Sequence, residues 1–220
     1  LWEDGKDGFR LGFLEDFGLP FHGEETFLDD ELYIDTDENG GILAGSNPRS
    51  VLFSVYRFLK LNGCRFLYPG IDGEYIPEKD IVPQHYEKLA DHRFRGHCNE
   101  GAESQDCMIE TIEFFPKQEL NVYMMEFLIP YGYYDRYYSH SQNEKHRPSE
   151  KVSSRQVLQW KRQCECEIQK RGLMFHDMGH GWTAEPFGIS STEGWDETSS
   201  EALTDEIRAY LAQVNGKRDF

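Results

Sequence analysis

The apolar and polar positions of residues 7–82 follow a pattern that predicts strand, strand, helix, strand. Apolar residues alternate with others in several short segments, which is the period of a half-buried strand. The glycines of 37–41 allow the positive φ angles that a tight hairpin turn needs. The predicted strands are 9–13, 31–35, 41–45 and 64–67.

A helix is predicted between the last two of these strands. Asn47 is a capping residue, and Pro48 suits the first helical position. Apolar residues then recur at helical spacing as far as Leu59, and Gly63 suits the left-handed position after the helix. The stretch 76–89, with two prolines, is interpreted as a linker. Residues 1–85 are therefore predicted to form a small accessory α/β domain.

From Arg93 onward, longer strands and helices alternate, which indicates βαβ units and a parallel sheet. A polar, Tyr-rich stretch over 131–150 is interpreted as a loop. The predicted strands are 94–97, 120–125 and 173–177. The predicted helices carry the apolar stripes Met108, Ile112 and Phe115 (ending before Pro116), Val157 to Ile168 (ending at Arg171 and Gly172), and Leu203 to Val214.

Residues 86–220 are thus predicted to be the N-terminal part of a (βα)₈ barrel, with its first three βα units. A whole barrel needs about 250 residues, more than the 220 of this chain. The first residue is Leu1 rather than Met, so we expect a fragment with two cut ends. Three units leave an open parallel edge, which we expect the rest of the barrel or a second copy to cover.

The charge and the apolar content of the chain argue against two kinds of partner, nucleic acids and membranes. Its 40 acidic and 23 basic side chains give a formal net charge of −17, which repels phosphate backbones and argues against nucleic-acid binding. No apolar run approaches the roughly 20 residues that span a bilayer, so no membrane partner is expected. The five cysteines are interpreted as buried or idle thiols, which favours a reducing, cytoplasmic compartment without assigning one.

Polar side chains collect where the predicted barrel strands end. Function in parallel α/β folds gathers at the carboxyl ends of strands, where such groups can bind sugar hydroxyls or orient one another. Trp182 could also stack on a sugar ring. The candidate residues for binding substrate, or for orienting the groups that do, are His97, Glu100, Glu126, His176, Asp177, His180 and Trp182.

A metal site is an alternative explanation of this cluster. His176 and His180 have the i, i+4 spacing of a zincin helix. The intervening Gly179 is a poor helix former, however, and no Glu follows the first histidine. We therefore assign no metal ligand and no cofactor. The sequence also contains no G-x-S-x-G elbow, which argues against a serine hydrolase.

Two segments resemble known glycoside hydrolases. Residues 41–70, above all Gly-Cys-Arg-Phe-Leu-Tyr-Pro-Gly at 63–70, look like the small α/β domain that precedes the barrel in family 67 α-glucuronidases and family 20 β-hexosaminidases. His176-Asp177-Met178-Gly179-His180 is similar to the Asp-Met-Pro-Gly-His segment of the hexosaminidases, with the proline missing. A bacterial group of glycoside-hydrolase-like barrels is the nearest resemblance.

The resemblance implies a glycosidase with two carboxylates around an oxocarbenium-like transition state. In the hexosaminidases the catalytic acid comes from the end of the fourth strand, which is expected beyond Phe220, so no catalytic residue is assigned here. Asp177 and His180 match family positions that support the acid electrostatically. Glu126 and His176 match no motif, and their candidacy depends on strand-end position alone.

Three functions remain open from the sequence. The first is a glycoside hydrolase acting on an uronic acid or N-acetylhexosamine glycoside, as in polysaccharide degradation. The second is a non-catalytic carbohydrate-binding protein on a degenerate barrel. The third is a metal-dependent hydrolase or isomerase that uses His97, His176 and His180.

Overall fold

The computed structural model describes residues 8–98, 103–124 and 130–176. The strands are β1 (Gly8–Phe13), β2 (Glu31–Asp37), β3 (Gly40–Gly45), β4 (Arg65–Phe66), β5 (Glu74–Tyr75), β6 (His85–Leu89), β7 (Gly96–Cys98), β8 (Val122–Met124) and β9 (Met174–His176). The helices are α1 (Pro48–Leu61), α2 (Gln105–Lys117), α3 (Pro130–Tyr138) and α4 (Ser154–Lys170). Short 3₁₀ turns lie at Glu15–Phe17 and Ile71–Gly73.

This part of the chain divides into two compact units. The first consists of 8–96, 110–121 and 170–173, and the second of 97–98, 103–109, 122–124, 130–169 and 174–176. The domain boundary after residue 85 stays a prediction. None of the helices within these ranges is long and apolar enough to cross a membrane.

A four-stranded mixed sheet forms the centre of the first unit, in the order β1-β3-β2-β6. Strands β1 and β3 are parallel, whereas β2 is antiparallel to both of its neighbours. The predicted hairpin between β2 and β3 is confirmed. Gly40 and Gly41 have φ angles of 140° and 143°, and a Cβ on Gly41 would lie 2.3 Å from the Asp35 carbonyl oxygen. Only glycine fits such a close approach of two backbones.

Helix α1 packs its apolar face on this sheet, as predicted. The Asn47 side chain accepts a hydrogen bond from the backbone N–H of Ser50, and Gly63 has a φ of 92° just after the helix. The core between helix and sheet contains Ile34, Leu43 and Phe58, with Phe9, Val55 and Tyr86 packed against it. The cap, the apolar stripe and the terminating glycine of α1 could all be predicted from the sequence, because each depends on residues within this one helix and its ends.

The interpretation of 76–89 as a linker is wrong at its C-terminal end. Residues His85–Leu89 form β6, which pairs with β2 at the edge of the sheet. The polar side chains of His85, Glu87 and Lys88 hide the strand pattern, while Tyr86 packs into the core. An edge strand with charged side chains is a usual way to protect a sheet from further pairing.

The second unit contains a three-stranded sheet in the order β7-β8-β9, whose strands alternate with helices along the chain. Strands β8 and β9 are parallel, with Met124 opposite His176. The α/β fold class is therefore confirmed, while closure into a barrel stays a prediction. Strands β7 to β9 overlap the three predicted barrel strands; β7 begins two residues later than predicted and extends to Cys98, and β8 and β9 begin two residues and one residue later.

Two local predictions in this half of the chain are wrong. Helix α2 continues through Pro116 to Lys117. The proline lies in the last turn, where its ring and its missing N–H disturb few helical bonds. The Tyr-rich stretch begins with a helix, α3, rather than a loop. Tertiary contacts of its aromatic side chains, which sequence periodicity does not reveal, stabilise this helix.

Asp30, which is fully buried, is the centre of a polar network in the first unit. Its Oδ1 lies 2.8 Å from Arg49 Nε and accepts hydrogen bonds from Asn47 Nδ2 at 2.9 Å and Ser50 Oγ at 2.8 Å. These three residues form the cap and first turn of α1. Burial lowers the pKa of the Arg49 guanidinium, and the charge of Asp30 opposes that shift.

The other oxygen of Asp30 binds residues from later in the chain. Its Oδ2 accepts hydrogen bonds from Arg95 Nη2 at 2.6 Å and from Asn121 Nδ2 at 2.8 Å. Asn121 Oδ1 in turn accepts the backbone N–H of Arg95, and the Arg95 carbonyl accepts the backbone N–H of Asn121. One carboxylate therefore joins α1 to two segments that are 65 and 91 residues away along the chain.

We expect Asp30→Asn to destabilise the protein by about 3–5 kcal/mol, because it leaves the buried Arg49 charge without a counterion. Equilibrium unfolding in urea at pH 7 measures this change. Asp35→Asn is the matched control, since the Asp35 side chain is 57% exposed, and it should cost no more than about 0.5 kcal/mol. A loss below about 1 kcal/mol for Asp30→Asn would contradict the central role of the carboxylate.

The neighbouring Asp29 forms a second, more exposed ion pair. Arg93 donates to both of its oxygens, at 2.6 and 2.9 Å, and the backbone N–H groups of Glu24 and Glu25 donate at 2.9 Å. The hydrogen bonds from Arg93 and then the backbone hold the pKa of Asp29 well below its ordinary value of 3.8. The stability that this carboxylate contributes is therefore present above pH 3.8 and is lost as the pH falls below it.

Asp29→Asn should accordingly be less stable than the parent protein at pH 7, by a difference that shrinks as the pH falls below 3.8. Thermal unfolding followed by circular dichroism between pH 7 and pH 3 tests this. Asp80→Asn, which removes an exposed carboxylate, serves as the control. If the difference in stability between Asp29→Asn and the parent did not change with pH, the charge of Asp29 would not be the source of its stabilising effect.

Candidate functional site

The described part of the predicted site consists of two histidines on the three-stranded sheet. His97 is the middle residue of β7, and His176 is the last residue of β9. Because β8 separates the two strands, their backbones lie on the order of 10 Å apart, at about 4.8 Å per strand. This distance suits two ends of a small ligand better than direct contact between the imidazoles.

Both histidines are exposed, whereas the strand between them is buried. Val122 is 6% exposed and Tyr123 is fully buried. The Tyr123 hydroxyl lies 3.8 Å from Met108 Sδ, so this strand is packed against α2. The arrangement is a rigid buried strand flanked by two solvent-facing imidazoles, and such scaffolds are typical of binding sites at strand ends.

The rest of the predicted site cannot be compared with the structure. Five of the seven candidate residues lie outside the described residues: Glu100, Glu126, Asp177, His180 and Trp182. Glu126 follows the last residue of β8 by two positions, and Asp177 directly follows β9. Their membership of the site therefore stays a prediction.

Three helices of the chain, α2, α3 and α4, meet through a buried polar contact that sequence patterns did not reveal. Gln105 begins α2, and its Oε1 accepts a 2.5 Å hydrogen bond from the hydroxyl of the fully buried Tyr134. Gln105 Nε2 donates to Gln163 Oε1 at 3.0 Å and to the Trp160 carbonyl at 3.3 Å, both on α4. The contact therefore links α2, α3 and α4, and so fixes the helices that connect the strands.

Aromatic stacking reinforces the same junction. The ring of Trp160 lies 5.1 Å from Tyr134 and 5.1 Å from Tyr138, the latter pair being nearly parallel at 26°. Burial raises the pKa of the nearby Cys164 thiol, which keeps it protonated and unreactive near neutral pH. The interpretation of this cysteine as a buried thiol is confirmed.

Metal binding by these two histidines would need further ligands. Within the described ranges, neither His97 nor His176 belongs to a group of three metal-ligating side chains. The third ligand in the metal hypothesis is His180, which is outside those ranges. That hypothesis therefore stays open.

Comparison with known proteins gives a distant likeness. No protein-family model and no curated protein matches the chain. Among solved structures, the chain is similar to CpGH84B, a glycoside hydrolase family 84 enzyme, with 14% sequence identity and a TM-score of 0.40. The match covers 74% of this chain and 25% of that chain, so the protein spans about a quarter of the length of that enzyme. A likeness this weak decides neither the fold nor the function.

We expect His97→Ala and His176→Ala to change the free energy of unfolding by no more than about 0.5 kcal/mol, because both side chains are exposed. Gln105→Ala is the contrasting variant and should cost about 1–3 kcal/mol, since it removes the buried hydrogen bond between Gln105 Oε1 and the Tyr134 hydroxyl. Urea unfolding distinguishes the two cases. A large loss for either histidine variant would indicate a structural rather than a binding role.

Proposed function

We propose that this chain is part of a glycoside hydrolase that cleaves a saccharide containing an uronic acid or an N-acetylhexosamine. The observation that carries the proposal is the parallel pairing of β8 and β9, with Met124 opposite His176. Two parallel strands that end side by side direct the segments after them to one edge of the sheet. Glu126 and Asp177 belong to those segments.

The conformation of the first unit agrees with the resemblance of residues 63–70 to the accessory domains of such enzymes. Gly63 and Gly70 have φ angles of 92° and 91°, and β4, which lies between them, is antiparallel to β5. A Cβ on Gly73, just before β5, would lie 2.1 Å from the Tyr68 carbonyl oxygen. The turns in and after this motif therefore need glycine. This supports the idea that the motif resembles those of the accessory domains because it forms similar turns.

The chemistry of the candidate residues suits a sugar ligand. Imidazole and carboxylate groups form hydrogen bonds with hydroxyls as donors and acceptors. Glycosidases use a general acid and a second carboxylate around the bond that breaks. In this proposal His97, His176 and Glu126 bind sugar hydroxyls, and Asp177 with His180 supports the acid electrostatically. No residue of this chain is assigned as the acid itself.

The experiment is hydrolysis of p-nitrophenyl N-acetylglucosaminide and p-nitrophenyl glucuronide, by this chain and by the longest natural protein that contains it. We expect the longer protein, which would supply the catalytic acid, to hydrolyse one of the two substrates. In the longer protein, Asp177→Asn should lower kcat by about 100-fold, the scale of losing one preorganised electrostatic contact to the transition state. His176→Ala should mainly raise KM, because its proposed role is to bind substrate in both ground and transition states.

His85→Ala is the matched control, since His85 is an exposed histidine of the first unit and should leave both constants unchanged. Binding of the free sugars without hydrolysis would favour a non-catalytic carbohydrate-binding protein. Activity that EDTA abolishes would favour the metal-dependent alternative. Neither binding nor hydrolysis with any substrate in the longer protein would overturn the proposal.

A further inference from the structure

Three side chains of the first unit bring metal-ligating atoms together. His22, Glu31 and Glu87 each offer one such atom, and all three atoms lie within 4.8 Å of one another. His22 Nδ1 lies 2.6 Å from Glu31 Oε1 and 3.7 Å from Glu87 Oε1. The residues are 9 and 56 positions apart in sequence, so no local motif indicates the group.

The Glu31 carboxylate is fixed before any ion binds. Its side chain is only 2% exposed, and its Oε2 accepts the backbone N–H of His22 at 2.8 Å. The backbone N–H of Glu31 donates to Ser46 Oγ at 2.9 Å. Hydrogen bonds that orient a ligand in this way are a usual feature of protein metal sites.

The sheet register sets the position of the second carboxylate. Glu31 is opposite Leu89 and Tyr33 is opposite Glu87 in the antiparallel pairing of β2 with β6. Directly opposed residues share a face of the sheet, so the two glutamates are diagonal neighbours on one face. His22 reaches the same face from the segment that precedes β2.

The distances suit a small divalent ion. Zinc binds histidine nitrogen and carboxylate oxygen at about 2.0–2.2 Å, which puts neighbouring ligands of a tetrahedral site about 3.3 Å apart. The observed distances from His22 Nδ1, 2.6 and 3.7 Å, fall on either side of that value. Side-chain shifts below about 1 Å would therefore complete three corners of the tetrahedron.

A simple hydrogen-bonded pair explains only part of this geometry. The contact of His22 with Glu31 needs no metal. It does not account for Glu87, whose side chain is 40% exposed and could extend into water. Two carboxylates repel each other at this range, and the net charge of −17 adds to that repulsion. A positive charge at this point, on a protonated imidazole or on a bound metal ion, would offset that repulsion.

We propose that His22, Glu31 and Glu87 bind a divalent transition-metal ion of the Zn²⁺ class, with a fourth position open to water. One imidazole with two carboxylates is a donor set that suits zinc and its neighbours. Calcium and magnesium are hard cations that prefer oxygen ligands, so the imidazole nitrogen of His22 disfavours them. The ion would tie the segment before β2 to β2 and β6, independently of any activity towards sugars.

The test is titration of the whole chain with ZnCl₂ at pH 7.5 by isothermal calorimetry, with MgCl₂ and CaCl₂ as comparisons. His22→Gln and Glu87→Gln each remove one ligand at an exposed position, so both variants should fold, as circular dichroism can verify. We expect each variant to lose one equivalent of bound Zn²⁺, or to bind it at least about 10-fold more weakly. MgCl₂ and CaCl₂ should bind much more weakly than ZnCl₂ to the parent chain.

His85→Gln is the matched control, because it removes another exposed histidine from the same strand pair, beside Asp35. It should keep the stoichiometry and affinity of the parent. Cysteine and histidine side chains elsewhere in the chain are also zinc-binding groups. The proposal is therefore tested by the difference in Zn²⁺ binding between each variant and the parent, and not by the total amount of Zn²⁺ bound. Unchanged Zn²⁺ binding in His22→Gln and Glu87→Gln, or no binding by the parent, would overturn the proposal.

Discussion

A single buried carboxylate, that of Asp30, determines how the first unit is assembled. It accepts donors from the first turn of α1 and from the backbone-linked pair Arg95 and Asn121. A charge that is removed from water is tolerated only when its hydrogen-bonding capacity is fully used. This requirement leaves few positions for the segments that supply the donors, so one residue constrains parts of the chain that are far apart in sequence.

Several residues of the first unit's polar contacts lie just before strands of the three-stranded sheet in sequence. Arg95 directly precedes β7, and Asn121 directly precedes β8. A third contact follows the same pattern, since Arg49 Nη1 lies 3.5 Å from the carbonyl of Gly172, two residues before β9. A Cβ on Gly172 would come within 3.3 Å of the Arg49 backbone nitrogen, and its φ is 67°. Polar contacts therefore fix Arg95, Asn121 and Gly172 within the first unit.

The candidate histidines of β7 and β9 are exposed. His97 and His176 face solvent, and neither takes part in the buried contacts that support α2, α3 and α4. The proposed cation site of His22, Glu31 and Glu87 depends on a different feature, the register of β2 and β6.

The sequence by itself determined the elements whose signals are local. The cap at Asn47, the stop at Gly63, the hairpin of β2 and β3, and the βα rhythm of the second half all act within a few residues, so periodicity and turn chemistry were enough. For the candidate site, the sequence predicted His97 and His176 near strand ends. In the structure they lie on β7 and β9, the two strands on either side of β8.

Only the tertiary structure decided the features that depend on partners distant in the chain. The strand β6 has a polar sequence and exists because β2 offers it hydrogen bonds, and α3 is helical because Tyr134 and Tyr138 pack on Trp160. The burial of Asp30 is likewise invisible in sequence, where an acidic residue is normally assigned to the surface. These outcomes are decided by desolvation and packing between distant segments, and no local pattern encodes either of them.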